Sequence, residues 1–125
     1  MSCVCAPICI LDDDVSVLRS IEYLLESDGL AARTFEHVDD FLAHAREHEV
    51  KLAVLDVCLG EASGLEVQAQ LQEISPRTRV IVMTGRDQPR LQSIALQNGA
   101  RAFLLKPFAD EMFLEHVHAA LASGS

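Results

Sequence analysis

Basic residues are scarce in this 125-residue chain: ten lysines and arginines stand against nineteen aspartates and glutamates, a formal net charge of −9 with a pI near 4.8. Nucleic-acid affinity rests largely on Lys and Arg displacing counterions from phosphates. The deficit therefore argues against direct nucleic-acid binding and for a cation or a basic protein surface as partner. A positive amino-terminal region is missing as well. The opening "MSCVCAPICIL" is apolar but runs straight into "DDD", which excludes a secretory signal, and it is too short to span a bilayer. A cytoplasmic protein without membrane association is expected. Paired C-x2-C elements, the strong zinc pattern, are absent: Cys3, Cys5 and Cys9 follow C-x-C-x3-C, and Cys58 stands apart. In the cytosol all four are expected as thiols, either packing residues or frayed at the amino terminus. Aromatics make up only 5%, with no tryptophan, yet 50% of residues are hydrophobic and 23% charged, which excludes disorder. No repeat or linker divides the chain. Its length suits one domain over 1–125 with a core from about 8 to 121, the closing "ASGS" being a tail or the start of a linker.

What remains is an alternation of short apolar runs and amphipathic segments. "ICIL" reads as a buried strand, and "VLRSIEYLLESDG" as a helix with Leu18, Ile21 and Leu25 on one face and Gly29 as its stop. "LAARTF" gives a weaker strand, "VDDFLAHAREH" a helix and "KLAVLD" a third strand. "GLEVQAQLQEIS" carries a narrow helical stripe through Leu65, Ala69 and Gln72, and "RVIVMT" is the clearest strand. A helix over "PRLQSIALQNG" stops at Asn98 and Gly99, a left-handed termination signal. "AFLL" is the fifth strand, and "DEMFLEHVHAAL" the fifth helix, with Phe113, Val117 and Leu121 four apart. Parallel strands need crossovers. Five βα units in strict order therefore predict an α/β fold, a five-stranded parallel sheet with helices on both faces.

In an open α/β sheet the site lies beyond the carboxyl ends of the strands, where strand order reverses. The residues due there are Asp12 and Asp13 after the first strand, Asp56 after the third, Thr84 after the fourth and Lys106 after the fifth. Two carboxylates about 4 Å apart repel by roughly 4 kcal/mol at an effective dielectric near 20, so three converging need positive compensation. Mg2+ suits, because it takes oxygen ligands and is typically held by one or two carboxylates plus a phosphate oxygen. Lys106 would add a second, mobile positive charge. Singly, each residue has a plainer reading: "DDD" as a solvated helix start, Thr84-Gly85 as a turn, Lys106-Pro107 as a loop.

Taken together, these positions resemble a response-regulator receiver domain, the phosphoacceptor half of two-component signalling, with a (βα)5 flavodoxin-like, CheY-like fold. The landmarks are "ILDDD", "LAVLD", Gly64 eight residues after Asp56, "VIVMTG" and "AFLLKPF". The resemblance implies that Asp12 and Asp13 hold the metal, one of them through water, with Asp56 and the backbone carbonyl of Cys58 completing the protein ligands of Mg2+, or Mn2+ in its place. It implies that Asp56 takes a phosphoryl group from a sensor histidine kinase or phosphotransfer protein. Lys106 and Thr84 would assist, and Thr84 and Phe103 would switch the face formed by the fourth helix, fifth strand and fifth helix, through which a homodimer could form. A cis Lys106-Pro107 bond is also implied. Gly60 stands where the family often has proline, making that loop more flexible. Phe103 lacks a tyrosine hydroxyl. Cys58 and Arg86 occupy variable positions that tune dephosphorylation. The expected activity is limited to the domain's own phosphorylation and dephosphorylation.

Rival readings are weaker. An aspartyl-phosphate phosphatase would want a second acid where Cys58 stands, and a corrinoid-binding domain would want D-x-H-x-x-G, absent from "DVCLGEASG". A degenerate receiver that only docks or dimerises conflicts with the complete set of acids, Thr84 and Lys106. His44 and His48, or His116 and His118, could chelate a metal, but no further ligand completes either pair. Cys58 has no basic neighbour in sequence to activate its thiol.

Overall fold

The computed structural model describes residues 7–59 and 62–122. Cys3, Cys5, Gly60 and the closing "SGS" lie outside the described residues, so the expectations attached to them are not addressed by it.

Ten elements alternate along the chain. They are β1 (Ile8–Leu11), α1 (Val15–Ser27), β2 (Ala32–Phe35), α2 (Val38–Glu47), β3 (Leu52–Asp56), α3 (Gly64–Ile74), β4 (Arg79–Thr84), α4 (Pro89–Gln97), β5 (Ala102–Leu105) and α5 (Asp110–Ala122). The strands form one parallel sheet in the order β2-β1-β3-β4-β5. The five βα units anticipated from the sequence are all present. One feature was not anticipated: beyond β3, Cys58–Leu59 pairs antiparallel with Ala62–Ser63 before α3 begins.

The three inner strands β1, β3 and β4 are buried on both faces, which is why they read as continuous apolar runs, whereas the edge strand β2 is only partly covered. Side chains alternate across each strand, so Cys9, Leu11, Ala53, Leu55, Val80 and Val82 pack on one side with Phe41, Val67, Leu71 and Ala95 of α2, α3 and α4. On the other side Ile10, Leu52, Val54, Ile81, Met83 and Leu104 meet Leu18, Ile21 and Leu25 of α1 and Phe113 and Val117 of α5. Cys9 is one of the packing thiols; burial pushes its pKa up to about 11 against an opposing effect of Arg33, which leaves it inert.

Helix boundaries follow local chemistry. Asp14 caps α1 by accepting from the Ser16 amide at 2.9 Å, and Ser63 caps α3 through the Leu65 amide at 3.2 Å. Pro89 opens α4, and Gly29 and Gly99, with φ of +81° and +96°, end α1 and α4 as their positions predicted. The stripe on α3 is a correction. Gly64, Val67, Gln68 and Leu71 face inward, whereas Ala69 and Gln72 are exposed and Leu65 is only half-buried. Gln68 goes in because its Nε2 donates to the Ala95 carbonyl of α4 at 3.0 Å, so a polar residue occupies a core position.

Gly64 fixes how closely α3 approaches the sheet. A Cβ built there would overlap the carbonyl oxygen of Asp56, and the Gly64 amide donates to Val57 O at 2.7 Å. Backbone cannot yield as a flexible side chain would. Gly64→Ala is therefore expected to destabilise the domain by about 2–3 kcal/mol, measured by urea unfolding. An unchanged midpoint would show that the approach is not constrained.

Candidate functional site

From β1 the chain crosses to β2 on one side and, later, to β3 on the other, so strand order reverses between β1 and β3. The residues leaving those two strands are Asp12 and Asp56. Both are buried, and so is Thr84 at the end of β4. Asp13 is exposed beside Asp12, and carboxylate oxygens of Asp12, Asp13 and Asp56 lie within 4.8 Å of one another. This is the one cluster of three potential metal ligands among the described residues.

Lys106, just past β5, reaches back into the cluster. Its Nζ lies 2.9 Å from Asp12 Oδ2 and 3.0 Å from Asp56 Oδ1. Its own amide donates to Thr84 O at 2.7 Å, tying the start of the β5-α5 loop to the end of β4, and the Lys106-Pro107 bond is cis. Asp12 Oδ1 accepts from the Asp14 amide at 2.9 Å, so both Asp12 oxygens have protein donors. Thr84 Oγ1 accepts from the Arg86 amide at 3.1 Å, which leaves the hydroxyl proton free to be donated elsewhere. These two turns are the positioning contacts that the motif reading missed. The D-x-D and T-x-R spacings carry them, since Asp and Thr habitually bond the amide two residues on.

The electrostatics are unbalanced by design of the fold. Burial raises the pKa of Asp56; the hydrogen bond and charge of Lys106 oppose this, while the charges of Asp12 and Asp13 add to it. Burial alone would lower Lys106, but its bonds to Asp12 and Asp56 outweigh that and raise it, so the ammonium stays charged. The two directions agree physically: one cation is divided among three anions, which favours the cation and leaves Asp56 under-compensated. Three ionised carboxylates and one ammonium sum to −2, and a divalent ion would balance them. The donors fit such an ion. Octahedral Mg2+ holds oxygens at about 2.1 Å, so opposite ligands span roughly 4.2 Å, and the observed spacing needs little adjustment.

Elsewhere, Phe103 in β5 is half-buried against the α2-α3-α4 side of the core. The Cys58 side chain is exposed two residues beyond Asp56. Among the described residues, neither histidine pair gains a third ligand. His44 and His48 stack with ring centroids 4.3 Å apart, and burial together with His48 and Arg33 holds His44 below its usual pKa. His118 Nε2 instead contacts Asp28 Oδ2 at 2.6 Å, joining α5 to the end of α1.

The family model for the response regulator receiver domain matches residues 8–118. The response regulator TodT of Pseudomonas putida is 36% identical over 112 residues, covering 90% of this chain and 49% of that protein. Among solved structures, the beryllofluoride-activated NtrC4 receiver domain dimer is 30% identical with a TM-score of 0.88, covering 92% of this chain and 95% of that one. A response regulator from Burkholderia pseudomallei, solved with a phosphorylated aspartic acid, calcium ion and citrate, is 28% identical with a TM-score of 0.83, covering 95% of this chain and 68% of that one. The chain belongs to the response regulator receiver domain family. It is a signalling domain of two-component systems, and members of the family bind Mg2+ at acidic residues, interact with histidine kinases and can dimerise. It spans about half the length of the curated relatives it matches. No described helix is long and apolar enough to cross a membrane.

The raised Asp56 pKa has a consequence for stability. At neutral pH the folded state carries a penalised charge that the unfolded state does not, and this cost disappears once pH falls below the unfolded carboxylate value near 4. In EDTA, Asp56→Asn is expected to raise the thermal midpoint at pH 7, with the gain shrinking as pH falls through the raised Asp56 pKa. A variant less stable than wild type at pH 7 would contradict this electrostatic reading.

Proposed function

We propose that Asp56 accepts a phosphoryl group from the phosphohistidine of a sensor histidine kinase or phosphotransfer protein, and that modification switches a protein-interaction surface. The observation that carries this reading is the Lys106 ammonium shared at 2.9 and 3.0 Å between Asp12 and Asp56, amid three converging carboxylates. An Asp56 oxygen attacks phosphorus; the O–P bond forms as the N–P bond to the donor imidazole breaks, and the imidazole leaves with its electron pair and takes a proton. Asp12, Asp13, Asp56 and the backbone carbonyl of Cys58 would hold Mg2+, or Mn2+ in its place, with Asp12 or Asp13 acting through water. When bound, the ion neutralises charge on the transferring phosphoryl oxygens.

Lys106 stays paired with Asp12 and follows the new anion on Asp56. Thr84 donates its free hydroxyl proton to a phosphoryl oxygen, drawing the β4-α4 loop inward, and Phe103 turns into the space vacated. Catalysis is limited to the domain's own phosphorylation and dephosphorylation, in the cytoplasm. The surface switched is that of α4, β5 and α5, where Leu96, Leu105 and Met112 are exposed; this face supports a homodimer, as the NtrC4 receiver forms a dimer. Neither nucleic acid nor membrane is a direct partner of these residues.

With a small acyl-phosphate donor and Mg2+, wild type is expected to gain the mass of one phosphoryl group, Asp56→Asn none, and EDTA to suppress labelling. Lys106→Ala is expected to slow labelling by about 10²-fold, the usual effect of losing one stabiliser of transition-state charge. Equal labelling of Asp56→Asn would overturn the assignment. For the surface, Leu105→Glu is expected to abolish phosphorylation-dependent dimerisation measured by light scattering while leaving labelling intact; a dimer that persists would move the interface elsewhere.

A further inference from the structure

At the opposite edge of the sheet, where the strands begin, a cleft of about 1100 Å³ is lined by Lys51, Arg77, Arg79 and Arg101 and by a single acid, Glu49. Four of the ten basic residues thus surround one hollow. Four cations less one anion give it +3, in a chain of −9 whose remainder therefore carries −12. Lys51 immediately precedes β3, five residues before Asp56 at that strand's other end, so at about 3.3 Å per residue the cleft is roughly 16 Å from the acidic cluster.

The cations are held by main chain. The Arg79 amide donates to Lys51 O at 2.9 Å and the Arg101 amide to Val80 O at 2.7 Å, which sets three of them across the starts of β3, β4 and β5. Arg77 sits on a loop pinned by a 2.6 Å bond between the Ser75 and Thr78 hydroxyls and another of 2.6 Å from Thr78 Oγ1 to Val50 O. Among the described residues, the side chains of Lys51, Arg77 and Arg101 have no ion-pair or hydrogen-bond partner. A recess of about 120 Å³ shares Arg77, Arg79 and Arg101 with the cleft and is also lined by Gln68. Gln68 is only 2% exposed, its Nε2 is spent on Ala95 O, and its Oε1 receives no donor from the described residues. A buried carbonyl oxygen is costly unless something donates to it.

We infer that this cleft binds a compact multi-anionic small molecule of the oligophosphate class, held by Arg77, Arg101 and Lys51. Guanidinium groups match phosphate oxygens in paired bonds, and Lys adds a point charge. The −12 elsewhere repels a long polyanion, because screening lengths near 8–10 Å do not hide it, whereas a ligand contained within the cleft avoids most of that repulsion. Neither hollow is lined by an aromatic side chain, so the phosphates and not a stacked base are recognised.

Calorimetric titration of the whole chain with inorganic tripolyphosphate in EDTA tests this. Saturable one-site binding that weakens with added NaCl, and that drops at least tenfold in Arg77→Glu/Arg101→Glu, is the expected result. The same double variant should still take up phosphoryl at Asp56 like wild type, which shows that it is folded and separates this site from the receiver chemistry. Absence of saturable binding to wild type, or equal affinity in the double variant, would overturn the proposal. So would a glutamate-rich peptide that binds the cleft and is not displaced by tripolyphosphate, since the occupant would then be protein.

Discussion

One ammonium shared by two buried carboxylates organises the carboxyl edge of this sheet. Lys106 follows β5, two strands from Asp56 and three from Asp12, so its long unbranched stem meets aspartates that themselves reach out from beyond or at the strand ends. The amide bond from Lys106 to Thr84 O sets the point from which that stem starts. Without that cation, three carboxylates within 4.8 Å would repel one another with no positive group among them. With it they remain under-compensated. That residual negative charge favours a divalent ion, the kind of ligand that receiver domains bind at their acidic residues.

The same constraint explains why the surrounding backbone is so closely specified. Asp56 must not swing away from Lys106, and β3 is buried along its whole length between β1 and β4. Behind it, Gly64 brings the first turn of α3 against the Asp56 carbonyl, a contact that any Cβ would obstruct. The Asp14 amide orients Asp12 while the Asp14 side chain caps α1, so one turn serves both the site and the helix. Rigid presentation matters because phosphoryl transfer to a carboxylate depends mainly on positioning and charge neutralisation.

Much of this was legible in the sequence because its signals are local. Runs such as "LAVLD" and "RVIVMT" can only be strands buried on both faces, and their terminal Asp56 and Thr84 follow from the alternation of elements. Legibility failed where a tertiary contact decides. Gln68 reads as polar, and Gly64, a landmark of the resemblance, carries no apolar signal, yet both face inward, one for a bond to a distant carbonyl and the other for close approach, and together they rotate the α3 stripe away from Leu65, Ala69 and Gln72. The short pairing of Cys58–Leu59 with Ala62–Ser63 left no apolar pattern to read. The basic cleft was invisible for a related reason: Lys51, Arg77, Arg79 and Arg101 are spread over about fifty residues and meet only because they lie at or just before the starts of three neighbouring strands.

The two edges of the sheet are therefore charged oppositely, and the topology supports both. In every βα unit the helix runs back against its strand, so helix amino termini, with their partial positive charge, lie at the acidic edge and carboxyl termini at the basic one. At the acidic edge this field favours anions and so offsets part of the crowding of Asp12, Asp13 and Asp56, as well as any phosphoryl group added to them. At the other edge, the carboxyl ends of α3 and α4 line the same recess as Arg77, Arg79 and Arg101, and their partial negative charge favours cations there. A partial dipole charge at a helix end does not replace a carboxylate as a bidentate partner for arginine. The fold can thus keep these cations gathered at modest cost while leaving Arg77 and Arg101 able to bond an anion from outside.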